Sequence, residues 1–208
     1  MEQSSYRTIG RPCECDFVER RSHFIGAVCP ACNQHDAQEF IDERKKKYWN
    51  ASHNVFAYVL RDERSQRFSD DGEPQGTAGL PVLDVLLREE LTDSVIVVTR
   101  FFGGILLGTG GLVRAYTHCA KLAVEAGGVV VMRLCTRGVI KCEYTIYGRI
   151  DATVLNNGGI IKDTRFSESV EIEFIIPCEY MDKFKTELTE ISSGSVSVCE
   201  IGQEYAAF

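Results

Sequence analysis

Five glycines within nine residues, at positions 103, 104, 108, 110 and 111, stand between the β-branched run SVIVVTRFF (94–102) and a stretch of helical spacing from about Leu112 to Ala126. Glycine loses more backbone entropy on folding than any other residue. So dense a cluster therefore implies a chain path that needs positive φ or close backbone approach. The run before it has no polar alternation, which predicts a central strand buried on both faces. A strand, a glycine-rich turn and a helix in succession place free N–H groups at the positive end of a helix, where phosphate-cradling loops occur.

The specific nucleotide fingerprints nevertheless fail. A Walker A reading from Gly103 puts Thr109 where lysine belongs and Gly110 after it. A GxGxxG reading from Gly108 ends on Val113. Tight strand–helix packing is the plainer explanation, yet Arg100, Arg114 and Lys121 set cations beside the amides, which suits phosphate or an RNA backbone.

A second segment also departs from ordinary packing: Phe68-Ser69-Asp70-Asp71-Gly72-Glu73-Pro74-Gln75-Gly76-Thr77-Ala78-Gly79. Three carboxylates within four residues repel unless they are solvated, hydrogen-bonded or given a cation. They lead into a helix expected over Leu80–Leu91, so dipole-favoured acids at a helix start are one reading. A ligand-binding loop, with Asp70, Asp71 and Glu73 holding Mg²⁺, is the other.

The rest of the first part reads as a strand over 22–29, a helix from Asp36 to Tyr48 ending in Lys45, Lys46 and Lys47, and a strand over 54–62. A polar loop covering residues 63–79 follows. From about residue 138 the pattern changes. VIKCEYTIY (139–147) is read as a strand with Ile140, Cys142, Tyr144 and Ile146 on one face. A short helix over Arg149–Asn156, a hairpin of IIKDTRF and VEIEFII, a helix over Glu179–Ile191 and a last strand complete a β-α-β-β-α-β order, the ferredoxin-like plan. The fold class is thus α+β in two domains, 1–136 and 137–208.

Charge supports the division. Residues 1–137 carry 17 Lys+Arg against 18 Asp+Glu, and residues 138–208 carry 6 against 12, which together make the net −7. A wholly basic nucleic-acid domain is excluded, and any RNA contact must come from a local basic face of the first part, for which Arg100, Arg114 and the Lys45–Lys47 cluster are the candidates. No apolar run nears the 18–20 or so residues that cross a bilayer, and the polar start is unlike a signal peptide, so a cytoplasmic protein is expected. The nine cysteines are read as reduced thiols. Cys29-Pro-Ala-Cys32, between a strand and a helix, is weighed as a redox pair, and with Cys13 and Cys15 as a zinc site. No GxSxG elbow occurs, and His118 beside Cys119 points about 100° away from it on a helix, so no hydrolase machinery is evident.

FSDDGEPQGTAGLPVLDVL, VIVVTRFFGGILLGTGGLVRAY and the preceding Trp49-Asn-Ala-Ser-His53-Asn-Val55 together resemble the signature blocks of the IMPACT/YigZ family over roughly residues 7–130. The resemblance implies an N-terminal β/α domain like the second domain of a small-subunit ribosomal protein. It also implies a C-terminal ferredoxin-like domain like those of elongation factor G. Functionally it implies translation regulation in eukaryotic members and nucleic-acid or ribosome binding in bacterial ones, with no firm reaction. It assigns Asp70, Asp71, Gly72, Glu73, Gly76, Thr77, Gly79, Arg100, Gly103, Gly104, Gly108, Gly110, Gly111 and Arg114 to the site, with His53 orienting the acidic loop or a ligand. The expected function is RNA or ribosome binding in translation, with a translation-related protein as a further partner and no required cofactor. A Mg²⁺-dependent enzyme acting on a phosphorylated small molecule is the alternative, and a pure protein-interaction module is a third.

Overall fold

The computed structural model describes residues 4–61 and 65–208. In chain order the elements are β1 (Ser5–Ile9), β2 (Cys13–Glu19), β3 (Ser22–Pro30), α1 (Gln34–Lys47), β4 (His53–Leu60), β5 (Ser65–Ser69), α2 (Gly79–Arg88), β6 (Ser94–Phe101) and α3 (Thr109–Gly127). They continue as β7 (Val129–Cys142), α4 (Tyr144–Asn156), β8 (Ile160–Phe166), β9 (Val170–Pro177), α5 (Met181–Ser192) and β10 (Val198–Ala207). No helix among the described residues is long and apolar enough to cross a membrane.

Two compact units result. In Tyr6–Val131, five antiparallel strands lie in the order β2-β3-β6-β4-β5, with the β-branched β6 at the centre. Its side chains alternate between two cores, as the unbroken apolar run predicts. Ile96 and Val98 pack beneath α2 and α3, while Val95 and Val97 pack with Ile41 of α1 on the opposite face. The second unit joins Ser4 and Ser5 to Met132–Phe208, and its β7-α4-β8-β9-α5-β10 connectivity gives an antiparallel sheet in the order β10-β7-β9-β8. Helices α4 and α5 share its core with Ile140, Ile172 and Phe174.

Three expectations need correction. The boundary falls between Val131 and Met132, not at 136/137, and it lies inside a continuous strand. A period-two pattern on both sides of a junction gives no local mark of it. The strand expected over 139–147 stops at Cys142, and Tyr144 begins α4. Ile146, Tyr147, Ile150 and Val154 meet the core at helical spacing, and the step from Cys142 to Ile146 satisfies a period of two and a turn of helix equally well. Ser65–Ser69, read as loop, is the edge strand β5; residues 62–64, the end of the strand read over 54–62 and the start of that loop, lie outside the described residues. The polar start also holds β2, whose Cys13, Cys15 and Phe17 face the core while Glu14, Asp16 and Val18 face away.

Candidate functional site

Strand register decides which loops meet. Glu19 pairs with Ser22, Phe101 with His23, His53 with Arg100 and Phe56 with Ser69. The β2–β3 turn, the segment before β4, the acidic segment after β5 and the glycine loop after β6 therefore all leave the same end of the sheet. Helices α2 and α3 both start there.

The three carboxylates of the acidic segment diverge, and each is already partnered. Asp70 accepts backbone N–H bonds from Gly76 (2.9 Å), Ala78 (3.1 Å) and Gly79 (2.8 Å), so the N-terminus of α2 already holds an anion supplied by the chain itself. Asp71 accepts the Asn54 N–H at 2.6 Å and lies 3.8 Å from Lys45. The Asp71 carbonyl accepts a bond from His53 Nδ1 at 2.8 Å.

Glu73 turns inward. Its Oε1 accepts from Arg100 Nη1 at 2.6 Å and from the Tyr116 hydroxyl at 2.8 Å, with His53 Nε2 at 3.8 Å. Burial and then the Glu73 charge push the Tyr116 hydroxyl well above the usual phenol range, so it stays a donor. Arg100 is 5% exposed and lies 5.5 Å from each of the Phe24 and Phe102 rings. The acids and the glycine-bearing turn do converge, but Glu73, Arg100 and Tyr116 clamp three elements together internally. Two sequence readings are thereby corrected. Arg100 is not a free cation for phosphate. The carboxylates form no joint Mg²⁺ set, and among the described residues no group of three or more His, Cys, Asp or Glu gathers as a metal site.

The glycines divide by role. A Cβ on Gly103 would lie 2.0 Å from the Arg21 carbonyl group, so only glycine lets the loop run against the β2–β3 turn. Gly79 stands close to Ser69 in the same way, with 2.7 Å left for a Cβ. Gly72, Gly76, Gly104 and Gly108 have positive φ. Gly110 and Gly111 occupy the first turn of α3, which has no side-chain cap. Thr77 closes the acidic segment by donating to the Pro74 carbonyl at 2.6 Å.

Three groups bear on the surface of this end. Arg114 is exposed on α3 and has no ion-pair partner among the described residues. The sequence reading missed Arg20 and Arg21, the two central residues of the hairpin turn, with φ 45° and 67°. Such a turn normally takes Asn-Gly. An L-residue held in the left-handed region costs about 1–2 kcal/mol, so arginine here is a conformational expense. The signal was an Arg-Arg pair between two short period-two runs, but it lacked glycine and did not read as a turn. Around these cations, Phe102, Ile105 and Leu106 (82% exposed) project from the glycine loop, and Trp49 (81%) precedes β4.

The lysine cluster contributes less than expected. Lys45 lies against Asp71, and Lys47 bonds Glu14 at 2.9 Å, a carboxylate also held by Arg44 and Tyr48. The cysteines are the separate thiols expected, and neither the zinc nor the redox alternative finds support. Cys13 and Cys15 face the α3 side of the sheet while Cys29 packs on the α1 side, so these thiols cannot surround one zinc. All nine cysteines are free. Burial raises the Cys29 thiol, the reverse of what a reactive Cys-Pro-Ala-Cys pair requires.

The Impact N-terminal domain model matches residues 20–124, and a domain of unknown function, DUF1949, matches 140–195. The chain is 38% identical over 197 residues to IMPACT family member YvyE of Bacillus subtilis, covering 94% of this chain and 91% of that protein. The chain belongs to the IMPACT family. IMPACT family member YigZ of Escherichia coli is 31% identical over 185 residues, 88% of this chain and 91% of its own length. Protein IMPACT-A of Xenopus tropicalis is 31% identical over 108 residues, half of this chain and 34% of its own length. A solved structure described as a hypothetical protein superposes with a TM-score of 0.62 at 29% identity, covering 98% of this chain and all of that one. The Impact N-terminal match, residues 20–124, spans the loops gathered at one end of the first sheet.

Proposed function

We propose that this IMPACT family member binds RNA, in the setting of the ribosome, through the loop-bearing end of its N-terminal unit, and so acts on translation. The observation that carries this reading is the pairing of solvent-facing arginines, of which only Arg20 has an ion pair among the described residues, a weak exposed one, with exposed apolar side chains on one rim. Arg20, Arg21 and Arg114 supply charge for phosphates, and Phe102, Leu106 and Trp49 supply apolar and aromatic surface for unstacked bases. The acids of the segment after β5 are tied up, Asp70 by amides, Asp71 by Asn54 and Lys45 and Glu73 by Arg100, which leaves Glu19 beside Arg20 as the exposed carboxylate of the β2–β3 turn. The C-terminal unit, with twice as many acids as bases in residues 138–208, is the part for a translation-related protein rather than for phosphate.

The test is co-sedimentation with ribosomes, and binding of labelled single-stranded RNA, across a salt series. Arg114→Glu is expected to weaken association about tenfold or more and to lower the slope of log affinity against log salt by about one phosphate contact. Wild-type binding indifferent to salt, or unchanged by this charge reversal, overturns the reading. A pull-down unaffected by nuclease would favour a protein partner instead.

A further inference from the structure

Between the β2–β3 turn and the outer face of α3 lies a cavity of about 250 Å³. Arg20, Arg114, His118 and one carboxylate, Glu19, line it with Phe17 and Leu107. The nitrogen-bearing groups come from two elements. His118 follows Arg114 by four residues, so both lie on one face of the helix, and Arg20 approaches from the turn. His118 is held in place, its ring edge-on to Phe17 at 4.9 Å, and Phe17 in turn stacks on Phe24 at 5.2 Å. Glu19 lies 3.9 Å from Arg20 in a solvent-exposed pair, a contact of little strength that an incoming anion displaces easily. The turn keeps arginine at a backbone position that disfavours it, and the Gly103 approach to Arg21 pins that turn.

Resting on the RNA reading above, we propose that this cavity binds a phosphate monoester, the terminal phosphate of an RNA strand. A monoester carries about −1.5 to −2 charge near neutral pH and three acceptor oxygens. An internal diester carries a single charge and two free oxygens. Three donor side chains converging from two directions match the first. The volume falls below the roughly 300–1,000 Å³ of ordinary ligand pockets, as suits an end group rather than a whole ligand. The aromatic wall beside it suits the sugar or base that follows the phosphate.

The experiment compares a short fluorescent oligoribonucleotide ending in a 5′-phosphate, a 3′-phosphate or hydroxyls at both ends, with inorganic phosphate as a separate ligand observed through the His118 ring signals in NMR. One phosphorylated end is expected to bind at least tenfold tighter than the hydroxyl form. That preference should vanish in His118→Ala and in Arg20→Asn/Arg21→Gly. The latter relieves the turn and is expected to raise Tm, so its lost preference cannot be ascribed to unfolding. Equal affinity for all three ends overturns the cavity assignment and leaves RNA binding intact. Perturbation of His118 by inorganic phosphate with no RNA bound in any form overturns it in favour of a free phosphate, and overturns the RNA reading too.

Discussion

Glu73→Ala is expected to destabilise the N-terminal unit by about 3–5 kcal/mol, the usual result of removing one partner from a buried ion pair. The Arg100 guanidinium would be left charged, 5% exposed, and bonded only to Ser22 Oγ at 3.3 Å. The Tyr116 hydroxyl, buried beneath the sheet, would lose its acceptor as well. For a unit of this size such a loss lowers Tm by roughly 10–20 °C, at about 4 °C per kcal/mol. Glu73→Gln keeps an acceptor for Tyr116 but not the charge, so a smaller fall is expected. Chemical denaturation of both variants checks this. A loss below about 1 kcal/mol for the alanine variant would show that the clamp is not what joins the acidic segment to β6 and α3. In a double-mutant cycle, adding Arg100→Met to Glu73→Ala should recover part of the loss, since no lone charge then stays buried.

Gly103→Ala is expected to cost about 3 kcal/mol, at the upper end of ordinary overpacking. The added methyl would meet the carbonyl carbon and oxygen of Arg21 at 2.0 Å and the Ser22 nitrogen at 2.5 Å, all of them backbone atoms. No rotamer change relieves such a clash, so the glycine loop must lift or the turn must move. Either shift also disturbs the Gly103 N–H bond to Ser22 Oγ, the hydroxyl that Arg100 shares. RNA binding should fall with stability, because Arg20 and Arg21 ride on that turn. Gly110→Ala is the control from the same loop. Its Cβ meets nothing closer than Arg114 Nη1 at 3.9 Å, and it sits in the first turn of α3. There alanine is expected to stabilise by up to about 1 kcal/mol. Similar thermal shifts for the two variants would mean that entropy, and not close approach, explains the glycine cluster.

These two variants also mark where reading the chain succeeded. The glycine cluster after a β-branched run was visible as a loop under unusual backbone demand, and Gly103 is where that demand is greatest. The central position of β6 followed from its unbroken apolar run, because only a strand covered on both faces can hide every side chain. The β-α-β-β-α-β order of the second unit followed from local periodicity, although the first strand was extended past Cys142. The acidic triplet was visible as an anomaly, but its resolution was not. Nothing near Glu73 in the chain announces Arg100 or Tyr116, and the triplet equally suggested a metal. Lys45–Lys47 looked like a free basic cluster because Glu14 and Asp71, which hold two of the three, are remote in sequence. Arg20 and Arg21 were passed over because their turn uses residues that a turn of that shape ordinarily avoids.

Alone, the order of residues determined what each segment can be, since side-chain alternation, helical spacing and the conformational range of glycine act over a few neighbouring residues. It settled the α+β class, the central strand and the family. Only the tertiary structure decided which charges are spent and which remain available. Glu73 meets Arg100 across 27 residues and Tyr116 across 43. Antiparallel register carries four separate loops to one end of a sheet, and there the buried carboxylate takes one arginine inward while Arg20, Arg21 and Arg114 stay facing solvent. The energy of an ion pair depends on the distance and burial that folding imposes, and neither quantity exists until the strands are aligned.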